Sequence, residues 1–347
     1  MATTIAVLGA GSWGTALAVS LSTSGHTVTL WARRPEAAAA MARDRHNPTY
    51  LPDVVIPGAV HITSDLQEAA SGKALWVIAT PSHAVRTLAQ HLVPYATRGL
   101  IVVSVAKGIE NETMLTTTQV LGEVLTPPIP GEQIGVLYGP SHAEEVAAGR
   151  PTTLVAAAPS LSVAEHIQTC FMTPSLRVYV NDDVLGVEIA GSVKNVMAIA
   201  AGMGDGIGYG DNAKAAIITR GMAEIQRLGV AMGARPSTFA GLTGIGDLVV
   251  TCTSRHSRNR YLGEQIGRGK SLKAVQAEMQ MVAEGVRTTA SVRALAQRYA
   301  IEMPITASVY AILFEGKKPR DAVHELMTRS AKQEDWLPHP LEDPQVS

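Results

Sequence analysis

Cysteine is scarce in this sequence: only Cys170 and Cys252 occur among 347 residues. They lie far apart and in no metal-ligand spacing. That argues against a disulfide scaffold and a cysteine-based zinc site, and it suits a reducing cytosol. Net charge is equally scarce, since 29 Lys and Arg stand against 30 Asp and Glu, leaving −1. No global basic field exists to attract nucleic acid or an anionic membrane, so an anionic partner must be met by a local cluster. Histidines are scattered without an H-x-x-x-H spacing, and no metal is expected. No run of about 18 uninterrupted apolar residues appears, so no membrane-spanning helix is expected. The start, "MATTIAVLGAG", lacks a basic n-region and is not read as a signal peptide. A cytoplasmic location is the expectation.

Apolar residues are plentiful at 46%, with 17% charged, which is ample for a buried core. The first half alternates apolar runs with helical ones. "TIAVLG" (4–9), "TVTLWAR" (27–33), "ALWVIATP" (74–81), "LIVVSVAKG" (100–108), "IGVLYGP" (134–140) and "TTLVAAAP" (152–159) read as strands. Helical stretches at 12–25, 83–92 and 141–149 lie between them. Continuous apolar strands separated by helices imply a parallel sheet covered on both faces. An α/β, Rossmann-like, doubly wound domain is therefore expected over residues 1–180. From 182 onward the periodicity is helical, in runs at 182–203, 211–233, 271–279, 285–300, 304–316 and 319–329. An all-α domain is expected over 181–335, with no strand after about 180. A loose, proline-bearing tail is expected over 336–347. The cleft between the two halves is the default ligand site.

"VLGAGSWGTALA" (7–18) carries glycines 9, 11 and 14 as G-x-G-x-x-G, directly after a strand and opening a helix. In that context Gly9 permits the tight turn, Gly11 lets backbone approach a pyrophosphate, and Gly14 lets helix and strand pack closely. The pyrophosphate then rests on helix N-terminal N–H groups. After the second strand comes "WARRPE". A NAD site wants an acidic residue there, whereas Arg33 and Arg34 suit a 2′-phosphate. The expectation is NADP(H), with NAD(H) also usable through Glu36. A solvated arginine pair is the plainer alternative.

A nicotinamide cofactor implies hydride transfer, and a ketone so reduced also needs a proton. Lys194 stands in the small, apolar helical run "GSVKNVMAIAAGM". Burial there lowers a lysine pKa towards neutrality, which suits an acid/base group; the alternative is a side chain snorkelling to solvent. Lys107 follows a strand and either faces the crevice or is an ordinary surface lysine. "YGPSHAEE" (138–145) offers an anion-friendly turn at Gly139 and Ser141, or a helix capped by Ser141. "GLTGIGDLVVTCTSRHSRNR" (241–260) is the densest polar cluster. Its Arg255, Arg258 and Arg260 read as a phosphate site or as a basic surface loop, and Asp247 is placed to pair with Lys194.

Together these segments, above all "GSVKNVMAIAAGMGDGIGYGDNAKAAIITRG" and "GLTGIGDLVVTCTSRHSRNR", resemble the NAD(P)-dependent glycerol-3-phosphate dehydrogenases of bacterial type over nearly the whole chain. The resemblance implies reversible reduction of dihydroxyacetone phosphate to sn-glycerol 3-phosphate for phospholipid synthesis. It implies Lys194 as proton donor and acceptor. It places Lys107, Gly139, Ser141, Asp247, Ser257, Arg258 and Asn259 beside Lys194 on the substrate side. For the cofactor it implies Ser12, Trp13, Arg33, Arg34, Tyr50, Lys107, Ala143, Arg258, Val282 and Glu284. A homodimer through the helical domain is implied by the resemblance alone. A β-hydroxyacid dehydrogenase acting on a carboxylate and a non-catalytic NADP sensor are the rival readings.

Overall fold

A computed structural model of the chain describes residues 2–279, 281–331 and 334; the tail expected over 336–347 lies outside them. Ten strands are present: β1 (Thr4–Leu8), β2 (Thr27–Trp31), β3 (His46–Asn47), β4 (Leu51–Val55), β5 (His61–Thr63), β6 (Leu75–Ile78), β7 (Ile101–Ser104), β8 (Ile134–Tyr138), β9 (Thr152–Ala157) and β10 (Leu176–Asn181). Helices in the same half are α1 (Ser12–Thr23), α2 (Pro35–Asp44), α3 (Leu66–Ala70), α4 (Val85–Leu92), α5 (Thr117–Leu125), α6 (Ala143–Ala147) and α7 (Leu161–Phe171). The second half holds α8 (Val184–Ile207), α9 (Asp211–Ala231), α10 (Pro236–Phe239), α11 (Asp247–Thr253), α12 (Arg258–Gly267), α13 (Leu272–Glu278), α14 (Gly285–Arg298), α15 (Pro304–Phe314) and α16 (Pro319–Met327).

Eight strands form one sheet in the order β10-β9-β8-β7-β6-β1-β2-β5, while β3 and β4 pair separately. Ile5, Ala6, Val7 and Leu8 are fully buried, as a strand sandwiched between two helical layers requires. The chain leaves β1 towards β2 on one side and later returns to β6 on the other. The C-terminal ends of β1 and β6 thus flank the switch point where such sheets bind ligands.

Three expectations are corrected. The sheet is not wholly parallel, because β9 runs antiparallel to β8. The segment joining them contains only the five-residue α6, not the longer helix expected over 141–149, and α6 packs on α1 rather than forming a crossover on the sheet. A further strand, β10, pairs in parallel with β9 at residues 176–181, where none was expected. It is an edge strand, half buried, so its sequence "LRVYVN" alternates instead of running apolar throughout.

Helix α8 is the axis of the second half, buried almost throughout. Among the described residues it is the one helix long and apolar enough to cross a membrane, but 83% of its apolar window is buried inside this protein. Its glycines lock it to α12. A Cβ on Gly202 would stand 2.0 Å from the Arg260 carbonyl oxygen, and one on Gly206 2.1 Å from that of Glu264. From the other side, a Cβ on Gly263 would meet the Ile199 oxygen at 2.1 Å and one on Gly267 the Met203 oxygen at 2.3 Å. The two backbones are in direct contact.

The halves are tied by a buried carboxylate. Glu188 of α8 accepts from Thr116 Oγ1 (2.7 Å), Thr117 Oγ1 (2.8 Å) and the Thr118 amide (2.9 Å) at the start of α5. Burial pushes this carboxyl above the usual range, and the threonine donors oppose the shift.

The glycine turn gives a first testable outcome. A Cβ on Gly14 would sit 1.9 Å from the Gly9 carbonyl oxygen. Gly14→Ala must therefore push α1 off the turn, costing roughly 1–3 kcal/mol of stability. Because the same turn is the expected pyrophosphate seat, NADPH affinity should fall by tenfold or more on the order of one lost anion contact. Thermal melts and a nicotinamide-fluorescence titration check both; an unchanged Kd would remove the turn from cofactor binding.

Candidate active site

Gly9 adopts φ +129°, and a Cβ there would strike Ala79 at 2.7 Å, so the turn is pressed against the end of β6. Gly11 differs: a Cβ there would meet nothing within 4 Å. It is the N-cap of α1 and carries no side-chain cap, leaving the first amides of a 12-residue helix free for an anion. Open space at Gly11 between two tightly packed glycines fits a pyrophosphate. Ser12 donates to the Tyr50 carbonyl at 2.7 Å and lies 3.5 Å from Met281 Sδ, which brings those three residues together over the turn. Trp13 packs with Ala16, Leu51 and Ala143, so Trp13 and Ala143 also form the wall beneath. Arg33 and Arg34 stand exposed at the end of β2, with Arg34 3.9 Å from Glu36. His83 is close enough to Arg33 and Arg287 that, after burial, their charges push its imidazole further down.

Deeper in, three charged side chains share one centre. Lys194 Nζ donates to Asp247 Oδ1 and to Thr251 Oγ1 (2.7 Å). Lys107 Nζ donates to Asp247 Oδ2 (2.7 Å) and to the Gly139 carbonyl (3.0 Å). Asp247, 1% exposed, thus bridges two lysines. It opens α11 after a π-helical turn at Leu242–Gly246, a distortion common at functional sites. Lys194 is 6% exposed, so the snorkelling alternative fails. Burial, opposed by Asp247 and reinforced by the Lys107 charge, brings its ammonium down to about 7. Gly139 lies at φ +152°, where a Cβ would be 2.8 Å from the Thr153 oxygen. Ser141 hydrogen-bonds back to the Gly139 carbonyl at 3.3 Å. It does not cap a helix: α6 starts later, with His142 at its N-cap.

The 254–260 loop divides by role. Ser257 caps α12, accepting from the Arg260 amide at 3.2 Å. Asn259 Oδ1 accepts from the Gly285 amide at 2.9 Å and so holds the start of α14. Arg260, expected in the anion cluster, is instead committed to Asp205 at 2.7–2.8 Å. Arg258 stays exposed and donates to the Val282 carbonyl at 3.3 Å. Glu284 is half-buried and accepts from the Ser82 amide (2.7 Å), just beyond β6, joining this loop to the cofactor crevice.

Two groups escaped the sequence reading. Thr251 lies one helical turn after Asp247, and that i, i+4 spacing on a short helix was the available signal. His142 lies against His256, the ring centroids 5.7 Å apart and the planes tilted by 48°. Burial and the charges of Lys194, His256 and Lys107 push its imidazole down to about 4, so it is neutral beside the lysines. Nothing in the sequence placed these two histidines together. Among the described residues no group of three metal-ligating side chains exists.

A buried acid/base lysine in a fold that also carries a dinucleotide turn can deliver a proton to an oxygen as a hydride reaches its carbon. Known proteins resemble this chain over nearly its whole length. The family model described as NAD-dependent glycerol-3-phosphate dehydrogenase N-terminus matches residues 4–164, and the C-terminus model matches 183–324. A Salinibacter ruber protein named glycerol-3-phosphate dehydrogenase (NAD(P)+) 2 is 62% identical over 341 residues, covering 98% of this chain and 99% of its own. A Chlorobium phaeobacteroides protein named glycerol-3-phosphate dehydrogenase (NAD(P)+) is 55% identical over 95% of this chain and 98% of its own. The crystal structure of glycerol-3-phosphate dehydrogenase from Coxiella burnetii superposes with a TM-score of 0.90 at 39% identity, covering 94% of this chain and 99% of that one. On the match of both family models and the full-length relatives, the chain belongs to the NAD-dependent glycerol-3-phosphate dehydrogenase family.

Proposed function

We propose that this protein interconverts dihydroxyacetone phosphate and sn-glycerol 3-phosphate in the cytoplasm, supplying glycerophospholipid synthesis. Residues 1–180 hold the dinucleotide and 181–335 the substrate. The observation that carries the reading is Lys194, buried with its pKa brought down to about 7 and bridged through Asp247 to Lys107. A bound NADPH or NADH supplies the hydride. Gly9, Gly11, Ser12, Trp13, Gly14, Tyr50 and Ala143 seat the pyrophosphate end, with Lys107, Arg258, Val282 and Glu284 lining the nicotinamide end.

Lys194 protonates the ketone oxygen as its carbon is reduced, and is left as a neutral amine, the form burial favours. Solvent returns the proton. Arg258 takes the substrate phosphate as a charge-assisted partner, supported by Ser257, Asn259 and the turn at Gly139 and Ser141. Binding the phosphate at a distance from the ketone spends remote binding energy on alignment. In the oxidative direction neutral Lys194 accepts the hydroxyl proton.

The deciding experiment follows NADPH and NADH oxidation with dihydroxyacetone phosphate and, in parallel, a 3-oxoacid. Turnover confined to the phosphate ester is expected. Turnover of the 3-oxoacid alone, or cofactor binding without turnover of either, overturns the reading. Arg33 and Arg34 set the preference for NADPH. Arg34→Ser should lower kcat/KM for NADPH about tenfold, the loss of one charge-assisted hydrogen bond, while sparing NADH. Equal losses with both cofactors would count against a 2′-phosphate contact.

A further inference from the structure

We infer that Tyr138 is a positioning residue for the proposed reaction: it fixes Lys107 and, through the Lys107–Asp247 contact, the proton donor Lys194. The inference rests on the function proposed above. Tyr138 ends β8 and is fully buried. Its hydroxyl donates to the carbonyl of Ala106, the residue immediately before Lys107. Its ring faces Lys107 Nζ, 5.6 Å from the centroid. The next residue, Gly139, supplies the carbonyl that accepts from the same ammonium at 3.0 Å. Lys107 is therefore held from below by one ring, from behind by that ring's hydroxyl acting on its own backbone, and from the side by the adjoining peptide.

The ring is also in contact with α8. A Cβ on Gly191 would stand 2.6 Å from Tyr138 Cδ2, so only a glycine lets the helix lie on the ring there. Gly191 precedes Lys194 by three residues, close to one helical turn, and shares its side of the helix. One aromatic ring thus touches both lysine-bearing segments. The hydroxyl also lies 3.4 Å from Thr117 Oγ1, which itself donates to Glu188, so the ring is anchored to the clamp between the two halves. Burial holds the phenol far above its ordinary pKa, and it stays neutral throughout the working range. Its contribution is geometric, not acid/base.

Tyr138→Phe keeps the ring and its volume and removes only the hydroxyl that holds Ala106. It should lower kcat with dihydroxyacetone phosphate about tenfold, within the range a sub-ångström misplacement costs. A core-filling residue could lose activity by general loosening, so the discriminating measurement is a double-mutant cycle with Lys107→Met. If Tyr138 acts through Lys107, then Tyr138→Phe added to Lys107→Met changes kcat by less than about twofold. The pH profile gives a second reading. Lys194 is faced by Asp247 from α11, Lys107 from the loop after β7, His142 ahead of α6 and Cys252 from α11. Lys107 in turn faces Asp247 and Glu284. Releasing Lys107 takes one positive charge away from Lys194, so the limb for reduction moves to higher pH.

An unchanged kcat in Tyr138→Phe, or the same fold-loss with and without Lys107, overturns the inference. Should the Phe variant not fold, Lys107→Met alone keeps the coupling testable: the limb for reduction should move to higher pH, and an unmoved limb overturns the inference. A wild-type protein that does not turn over dihydroxyacetone phosphate would instead sink the proposed function, so the two failures are told apart.

Discussion

Lys194→Met should lower kcat for ketone reduction by about 10² or more, the scale of a lost general acid, while the protein melts no lower than the parent. The second half of that expectation follows from electrostatics. Asp247 faces two ammonium groups, and removing Lys194 leaves it paired with Lys107 at 2.7 Å. Methionine then fills an apolar helix face, the burial cost of the Lys194 ammonium is gone, and Asp247 is not left as an unpaired charge. The pH dependence has a definite sign. Reduction needs the ammonium, so kcat for reduction is level below about 7 and falls above it; oxidation needs the amine and rises through the same value. In stability the lowered folded pKa means that the unfolded chain binds more protons above about 7, so this group's burial penalty, full at low pH, is relieved as pH rises towards the ordinary lysine value. Steady-state profiles in both directions and paired melts check this. A variant with near-parental kcat would remove Lys194 from the chemistry.

Asp247→Asn should be the most damaging single change to the centre. Two lysines would then face an amide in a buried site. Breaking a buried pair by removing one partner costs about 3–5 kcal/mol. Lys194 can escape by losing its proton, since Asp247 is what holds its ammonium up against burial. The deficit is accordingly greatest near pH 6 and shrinks towards pH 9. The reduction optimum moves to lower pH, with kcat down about 10², because the proton donor is scarce at neutrality. Urea denaturation at the two pH values, beside a kcat profile, tests both parts. A deficit under about 1 kcal/mol that is equal at both pH values would show that Asp247 does not balance the lysines.

Much of this was legible because local chemistry demanded it. The strand, turn and helix around residues 4–23 were set by continuous apolar residues and by Gly9 and Gly14, which no other residue replaces without collision. Lys194 stood out since a charge in an apolar helix needs a partner, and Asp247 is that partner. What escaped was settled by tertiary placement. The reversal at β9 depends on where α6 packs, and β10 betrayed itself only by alternation. Arg258 and Arg260 look alike in "SRNR", yet they point to different sides of α12, one exposed and the other against Asp205. Asn259 and Ser257, proposed above for the substrate phosphate, turned out to brace helix starts. No spacing in the chain foretold that His142 and His256 would meet.

The interlocked glycines of α8 and α12 bear on which molecules the cleft admits. Lys194 sits on one of these rods, and Arg258 begins the other. With Gly202, Gly206, Gly263 and Gly267 pressed onto facing carbonyls, neither rod can slide along or roll over its neighbour. On the proposed reading, the span from proton donor to guanidinium is then a gauge cut in main chain, and a ligand passes by the length between its ketone and its phosphate. Changing the side chains around the cleft would retune affinity, but admitting a longer ligand would mean recutting the gauge itself.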